Sequence, residues 1–215
     1  MKLAILGPPG TGKGTIAKFI ETRFNCYHIS TGDLLREQVT LDTDIGKKIA
    51  PTMNQGKLID DATVLKILEK KLTKIGQNFI LDGYPRNIEQ GEMLEKVLGE
   101  LEMHLDSVLF IDSPENVIVK RLSARRQCTK CKRIYGLDIP SKKEGVCDEC
   151  GVETVLRNDD AAGVVRDRIK IYNERSKPLL EFYNEKNMLV RVHGDRTLKE
   201  IFMEVENLLS KYEGK

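Results

Sequence analysis

The chain has 215 residues, which suits one domain with insertions or at most two domains. It is 40% hydrophobic and 32% charged with a formal charge of +2, which excludes a disordered chain and gives no general attraction for nucleic acid. No apolar run approaches the roughly 20 residues of a membrane span, and the first residues read as a core strand rather than a signal peptide. A cytoplasmic location is therefore expected, where disulfides are rare.

The first apolar run, Lys2–Leu6, reads as a buried strand. Directly after it comes Gly7-Pro8-Pro9-Gly10-Thr11-Gly12-Lys13-Gly14-Thr15. Glycines there let successive backbone N–H groups curl around phosphate oxygens, and the helix that follows adds the positive end of its dipole. Lys13 supplies a mobile charge for the outer phosphates. The general form of such a loop places Ser or Thr right after the lysine to hold magnesium. Here Gly14 intervenes before Thr15.

Ile16, Phe19 and Ile20 form one apolar face of the next helix, and Cys26–Ile29 reads as a second strand holding a buried cysteine. Ser30 and Asp33 resemble a capping box. Residues 30–59 then hold two helical patterns and no strand, so they read as an insertion. Val64, Leu65, Leu68 and Leu72 mark another helix, and Asn78–Leu81 a third strand ending in Asp82-Gly83-Tyr84-Pro85-Arg86. Ser107–Ile111 is a fourth strand, with Ser113 as expected N-cap and Pro114 in the first turn of the next helix. Arg121 lies one helical turn before Arg125 and could share its face and contact phosphate, whereas Arg126 and Arg166 read as surface charges.

Residues 124–160 lack helical periodicity and carry four of the five cysteines. Their spacing, Cys128-x2-Cys131-x15-Cys147-x2-Cys150, falls in the four-cysteine zinc range. Such a thiolate cage is closed and therefore structural, although iron could occupy it as well. The segment has few large apolar residues, so a metal would substitute for a core. Beyond it, Pro178 is expected to break or kink a helical stretch from about Val164 to Glu185, and Met188–Val192 is the fifth strand. His28, His104 and His193 show no metal-like spacing and read as structural. Strand–helix alternation implies a doubly wound, five-stranded parallel α/β sheet with ligands beyond the carboxyl ends of its strands.

Together these motifs carry a resemblance. The loop Gly7–Thr15, Ser30–Arg36, Leu81–Arg86, Arg125-Arg126 opening a four-cysteine insertion, and Arg157-Asn158-Asp159-Asp160 resemble adenylate kinases of the long-lid, zinc-bearing bacterial type. The Gly-Lys-Gly-Thr ending of the loop is that family's form. The likeness runs nearly the whole chain. It implies a P-loop core of residues 1–29, 60–123 and 161–215, an AMP-binding insertion at 30–59 and a metal-bearing lid at 124–160.

The activity it implies is phosphoryl transfer from MgATP to AMP giving two ADP, by a monomer. Lys13 with the amides of Gly10, Thr11, Gly12, Gly14 and Thr15 would hold the ATP phosphates. Arg125, Arg157 and Arg168 would close on the transferring group, and Arg36 and Arg86 on the AMP phosphate. Thr31, the Lys57-Leu58-Ile59 backbone, Gly83, Tyr84, Pro85 and Gln90 would fix the AMP nucleoside. Ile134, Tyr135 and the backbone at Arg196 would border the ATP adenosine, with Asp82 an outer-sphere magnesium partner.

Departures from the family pattern lie at the lid hinges. Ala161-Ala162-Gly163 stands where acidic residues are usual and Ala124 where glycine is common, which predicts an altered lid-opening equilibrium. Asn87 and His193 also replace residues usual in the family, without removing a ligand.

Two other functions compete. A UMP or CMP kinase would share the fold, but such relatives have a short lid without cysteines. A nucleic-acid-binding ATPase with a zinc ribbon needs a basic stripe or stacking aromatics near the cysteines; the lid has Lys130, Lys132, Arg133, Lys142 and Lys143, but Tyr135 is its only aromatic.

Overall fold

The computed structural model describes residues 1–55, 57, 59–76, 78–157, 160 and 162–213. Leu58, Asn158, Asp159 and Ala161 lie outside the described residues.

Five strands form one parallel sheet: β1 (Lys2–Leu6), β2 (Tyr27–Ser30), β3 (Phe79–Asp82), β4 (Ser107–Asp112) and β8 (Leu189–His193), in the order β2-β3-β1-β4-β8. Each lies within two residues of the apolar run that predicted it. Register follows from side-chain alternation. In β1, Ala4 and Leu6 face a cluster with Leu81, Phe110 and Leu68. Leu3 and Ile5 face the opposite cluster with Ile80, Leu109 and Val192. Both faces of β1 are therefore buried, which is why its sequence reads as a continuous apolar run.

Helices cover both faces. α1 (Lys13–Phe24) and α8 (Leu198–Leu209) pack on one side; α4 (Asp61–Ile75) and α5 (Ile88–Glu100) pack on the other. The chain leaves β1 toward one edge of the sheet and β4 toward the other. Their exit loops diverge and open a crevice at the carboxyl ends.

Two segments stand apart from this alternation. α2 (Thr31–Thr40) and α3 (Asp44–Asn54) follow β2 without a strand between them. After α6 (Glu115–Ala124) comes a small antiparallel sheet of β5 (Arg126–Cys128), β6 (Ile134–Tyr135) and β7 (Thr154–Val155), in the order β6-β5-β7. Its buried cluster consists of Cys128, Tyr135 and Cys147, with Cys150 and Val152 packed against it.

Three local expectations are corrected. Pro178 does not break its helix: α7 runs from Ala162 to Glu185. Packing on both sides of the proline outweighs its missing N–H. Val165 and Ile169 lock to Ile118 and Leu122, and Leu179 and Tyr183 join the main core. Ser113 is not the N-cap of α6. Pro114 holds that position in extended conformation, its carbonyl accepting from Val117 and Ile118, and the Ser113 hydroxyl is buried without a partner among the described residues. At α2 only half of the capping box forms. Ser30 accepts from the Asp33 N–H at 3.3 Å, but the Asp33 carboxylate is drawn to Arg36 instead.

Candidate active site and metal centre

The loop after β1 is shaped by its contact with β4. A Cβ on Gly7 would lie 2.4 Å from the Ile111 carbonyl oxygen, and one on Gly10 would lie 2.8 Å from Leu122. Both glycines also take positive φ, so only glycine fits. Lys13 begins α1, and its Nζ donates to the Pro8 carbonyl at 2.8 Å, across the loop it will serve. Desolvation in the cleft lowers the Lys13 ammonium to about 8, with Arg86, Arg168 and Arg125 pushing the same way and Asp82 opposing them. A lysine held at that value is poised for a polyanion that will restore its charge.

The loop opens into a cleft of about 1170 Å³, larger than a single drug-sized site. Gly10 through Thr15 line it. So do Arg36, Gly83, Pro85 and Arg86. Arg125, Arg157, Arg168, Ile134 and Tyr135 complete the set of sequence candidates along it. Sequence-distant arginines, Arg36, Arg86, Arg125, Arg157 and Arg168, thus line one cleft with Lys13, and Arg86, Arg125 and Arg168 act on its charge.

The remaining candidates sit beside the cleft or away from it. Thr31 is buried and donates to the Asp82 carbonyl at 3.2 Å. Gln90 is buried and accepts from the Arg86 N–H at 2.7 Å. Tyr84 is fully buried before a cis bond to Pro85. Ile59 is buried and Lys57 exposed. Arg196 points its guanidinium at Glu204 and the His193 carbonyl.

Several groups in the site were not assigned from sequence. Asp160 has a side chain with no exposure and holds Arg125 through two contacts of 2.6 and 2.5 Å and Arg168 through one of 3.2 Å. A carboxylate in that place keeps two cationic side chains together. Asp33 does the same for Arg36 at 2.6 Å. Arg121 donates to the Gly194 carbonyl at 2.5 Å and pairs with Asp138 at 2.7 Å, and so lines the cleft as its spacing from Arg125 suggests. His28, read as structural, also lines the cleft and meets the Asp82 carboxylate at 3.2 Å. Asp160 follows a recognisable motif. Its role is invisible in sequence because Arg125 lies 35 residues away.

The four cysteines meet. Their sulfur atoms all lie within 4.8 Å of one another, with Cys131 and Cys147 at 3.6 Å. A tetrahedral cage with metal–sulfur bonds of about 2.3 Å needs sulfurs roughly 3.8 Å apart, so the donor set fits such an ion. The backbone N–H groups of Lys130 and Cys131 both approach the Cys128 sulfur at 3.4 Å, as expected of a turn that stabilises thiolate. The Tyr135 hydroxyl donates to the Cys147 sulfur at 3.4 Å and accepts from the Asp148 N–H at 2.8 Å. That bond lowers the Cys147 thiol to about 6. Cys26 stands apart, buried in the core, where burial pushes its thiol up to about 11.

Comparison with known proteins agrees with this geometry. The family model described as "Adenylate kinase" matches residues 5–188. The chain belongs to the adenylate kinase family. Curated proteins named "Adenylate kinase" resemble it over nearly their whole length. That of Methanothrix thermoacetophila is 42% identical, covering 99% of this chain and all of the relative. That of Kosmotoga olearia is 41% identical over 97% of this chain and all of the relative. That of Archaeoglobus fulgidus is 39% identical over 98% and 99%. The cysteine cluster fits the long-lid, metal-bearing type. Among the described residues no helix is long and apolar enough to cross a membrane.

Proposed function

We infer that this chain catalyses reversible phosphoryl transfer from MgATP to AMP, giving two ADP. The observation that carries the reading is the convergence of Lys13, Arg36, Arg86, Arg125, Arg157 and Arg168 on one cleft sized for two nucleotides. A monophosphate acceptor is already anionic at neutral pH, because its second pKa is near 6. The enzyme therefore needs clamps more than a base.

Lys13 and the amides of Gly10–Thr15 hold the donor phosphates. Arg125, Arg157 and Arg168 surround the transferring group, and Arg36 and Arg86 grip the acceptor phosphate. Thr31, Gly83, Tyr84, Pro85, Gln90 and the backbone of residues 57–59 shape the acceptor nucleoside site. Ile134, Tyr135 and the Arg196 backbone border the donor adenosine. Asp160 and Asp33 act as internal counter-ions until phosphate oxygens take over their arginines. Thr15 and Asp82 would hold the magnesium that comes with ATP, directly or through water, and the ion would supply charge neutralisation at the phosphates. Residues 30–59 form the flap over AMP and residues 124–160 the lid over ATP, excluding water from the reacting phosphates. Zinc is the metal assigned to the lid, since four thiolates suit it and the site needs no redox change.

The protein is proposed to work as a cytoplasmic monomer without nucleic acid. A lid with one aromatic residue offers no stacking platform for single strands. The expected acceptor profile is AMP far ahead of GMP, UMP and CMP in kcat/KM with MgATP as donor. A coupled assay across the four acceptors checks it, and a preference for UMP or CMP would replace this reading with that of a pyrimidine nucleotide kinase.

Lys13 also predicts a pH dependence. With the free-enzyme lysine near 8 and its charge restored by bound triphosphate, ATP binding takes up a proton above that pH. kcat/KM for ATP should fall about tenfold per pH unit above about 8, since one proton must be gained per binding event. The fall should begin at the same pH when AMP is saturating. A profile flat to about pH 9.5 would show that Lys13 keeps an ordinary lysine pKa.

A further inference from the structure

A side-chain amide offers an acceptor at one end and a donor at the other, in nearly the same shape. At Gln90 the neighbours decide which end is which. The backbone N–H of Arg86 can only donate, and it meets Gln90 Oε1 at 2.7 Å. The Asp61 carboxylate can only accept when ionised, and its Oδ1 receives Gln90 Nε2 at 2.6 Å. The other carboxylate oxygen of Asp61 receives Asn87 Nδ2 at 2.9 Å. Asn87 in turn N-caps α5 by accepting from the Gln90 N–H at 2.7 Å. Asp61 itself lies in the first turn of α4. Gln90 is only 3% exposed, so water competes weakly for these bonds.

We propose that Asp61 is a specificity-determining positioning residue: it locks the amide of Gln90 in the one orientation that accepts a 6-aminopurine and rejects a 6-oxopurine. The inference rests on the reading of Gln90 as a contact to the acceptor base. With one N–H and one lone pair already engaged, the amide keeps one donor and one acceptor for the base. Adenine presents an N6 amino donor beside ring-nitrogen acceptors, which complements that pair. A 6-oxopurine presents a carbonyl and a protonated N1 and would require the amide to flip. Flipping places Oε1 against the Asp61 carboxylate and the amide N–H groups against the Arg86 N–H. Both contacts then repel. Removing Asp61 leaves only the Arg86 side of the lock.

The test compares AMP with IMP, which differ only in the 6-position and the N1 proton, as acceptors at saturating MgATP. In Asp61→Ala the AMP-to-IMP ratio of kcat/KM should fall roughly tenfold to a hundredfold, the range of one bidentate base contact, with KM for ATP unchanged. Asp61→Asn, which keeps size and the helix start, should fall part of the way, because its own amide can turn to suit either orientation. Asn87→Thr keeps an N-cap oxygen but drops the contact to Asp61, and should leave the ratio within about twofold of the parent. The Gln90 side-chain amide resonances should be slow to exchange in the parent chain and faster in Asp61→Asn. If Gln90→Ala collapses the ratio while Asp61→Ala and Asp61→Asn leave it intact, the lock is wrong and the base contact stands. If Gln90→Ala leaves the ratio intact, the base contact fails and the lock with it.

Discussion

Lys13→Met is expected to lower kcat by about a hundredfold to a thousandfold, the usual loss when one preorganised charge is removed from a developing transition state. Methionine matches the lysine stem in length and lacks only the ammonium. The loop conformation should survive, because it is set by Gly7 against Ile111 and Gly10 against Leu122 and not by the lysine. The single bond from Nζ to the Pro8 carbonyl is lost, so the melting temperature should move little. Steady-state kinetics beside a melting curve separates the two effects. A fall in activity matched by a large fall in melting temperature would reassign Lys13 to holding the loop.

The second large effect concerns the metal. Stripping the ion with a chelator, or Cys128→Ser, should lower the melting temperature by about 10 °C or more. A chain of this size shifts by roughly 2–4 °C per kcal/mol, and structural thiolate sites contribute several kcal/mol of folding energy. The lid's buried cluster among the described residues is small: Cys128, Tyr135 and Cys147, with Cys150 and Val152 packed against it. Turnover below the new midpoint should fall by less than about fivefold, as expected where the metal is structural and not catalytic. The reason is positional. Arg125 caps the end of α6, Arg168 lies within α7, and Asp160 joins them, so these clamps are placed by core helices and not by the cage. Loss of turnover in a protein that remains folded would show that the ion takes part in the chemistry.

The sequence displays what depends on neighbours along the chain and conceals what depends on neighbours in space. The phosphate loop, the paired cysteines and the five strands are local patterns, and each forms where its pattern lies. Pro178 also sends a strong local signal, yet packing of Val165 and Ile169 at one end of α7 and of Leu179 and Tyr183 at the other keeps the helix whole. Ser113 carries the right cap chemistry and is displaced by the extended backbone of Pro114.

The carboxylates of the site are the least legible part. Asp160, Asp33 and Asp61 look like ordinary helix-start acids, and for Asp160 and Asp61 only the fold supplies a partner. Asp33 finds Arg36 in the same helix turn, but Asp160 finds Arg125 and Asp61 finds Gln90 across distant elements. Arginines were readable because phosphate chemistry calls for them. The acids that keep those arginines in order while no phosphate is bound leave no comparable mark.

The most direct measurement of the central claim runs the reaction backward from one substrate. MgADP alone, followed by phosphorus NMR or by separation of nucleotides, should yield ATP and AMP in equal amounts until equilibrium, with no net release of inorganic phosphate. That result is what two nucleotides meeting in one water-excluding cleft produce. Release of inorganic phosphate without matching ATP and AMP would mean a nucleotidase or ATPase, and would contradict the two-nucleotide clamp.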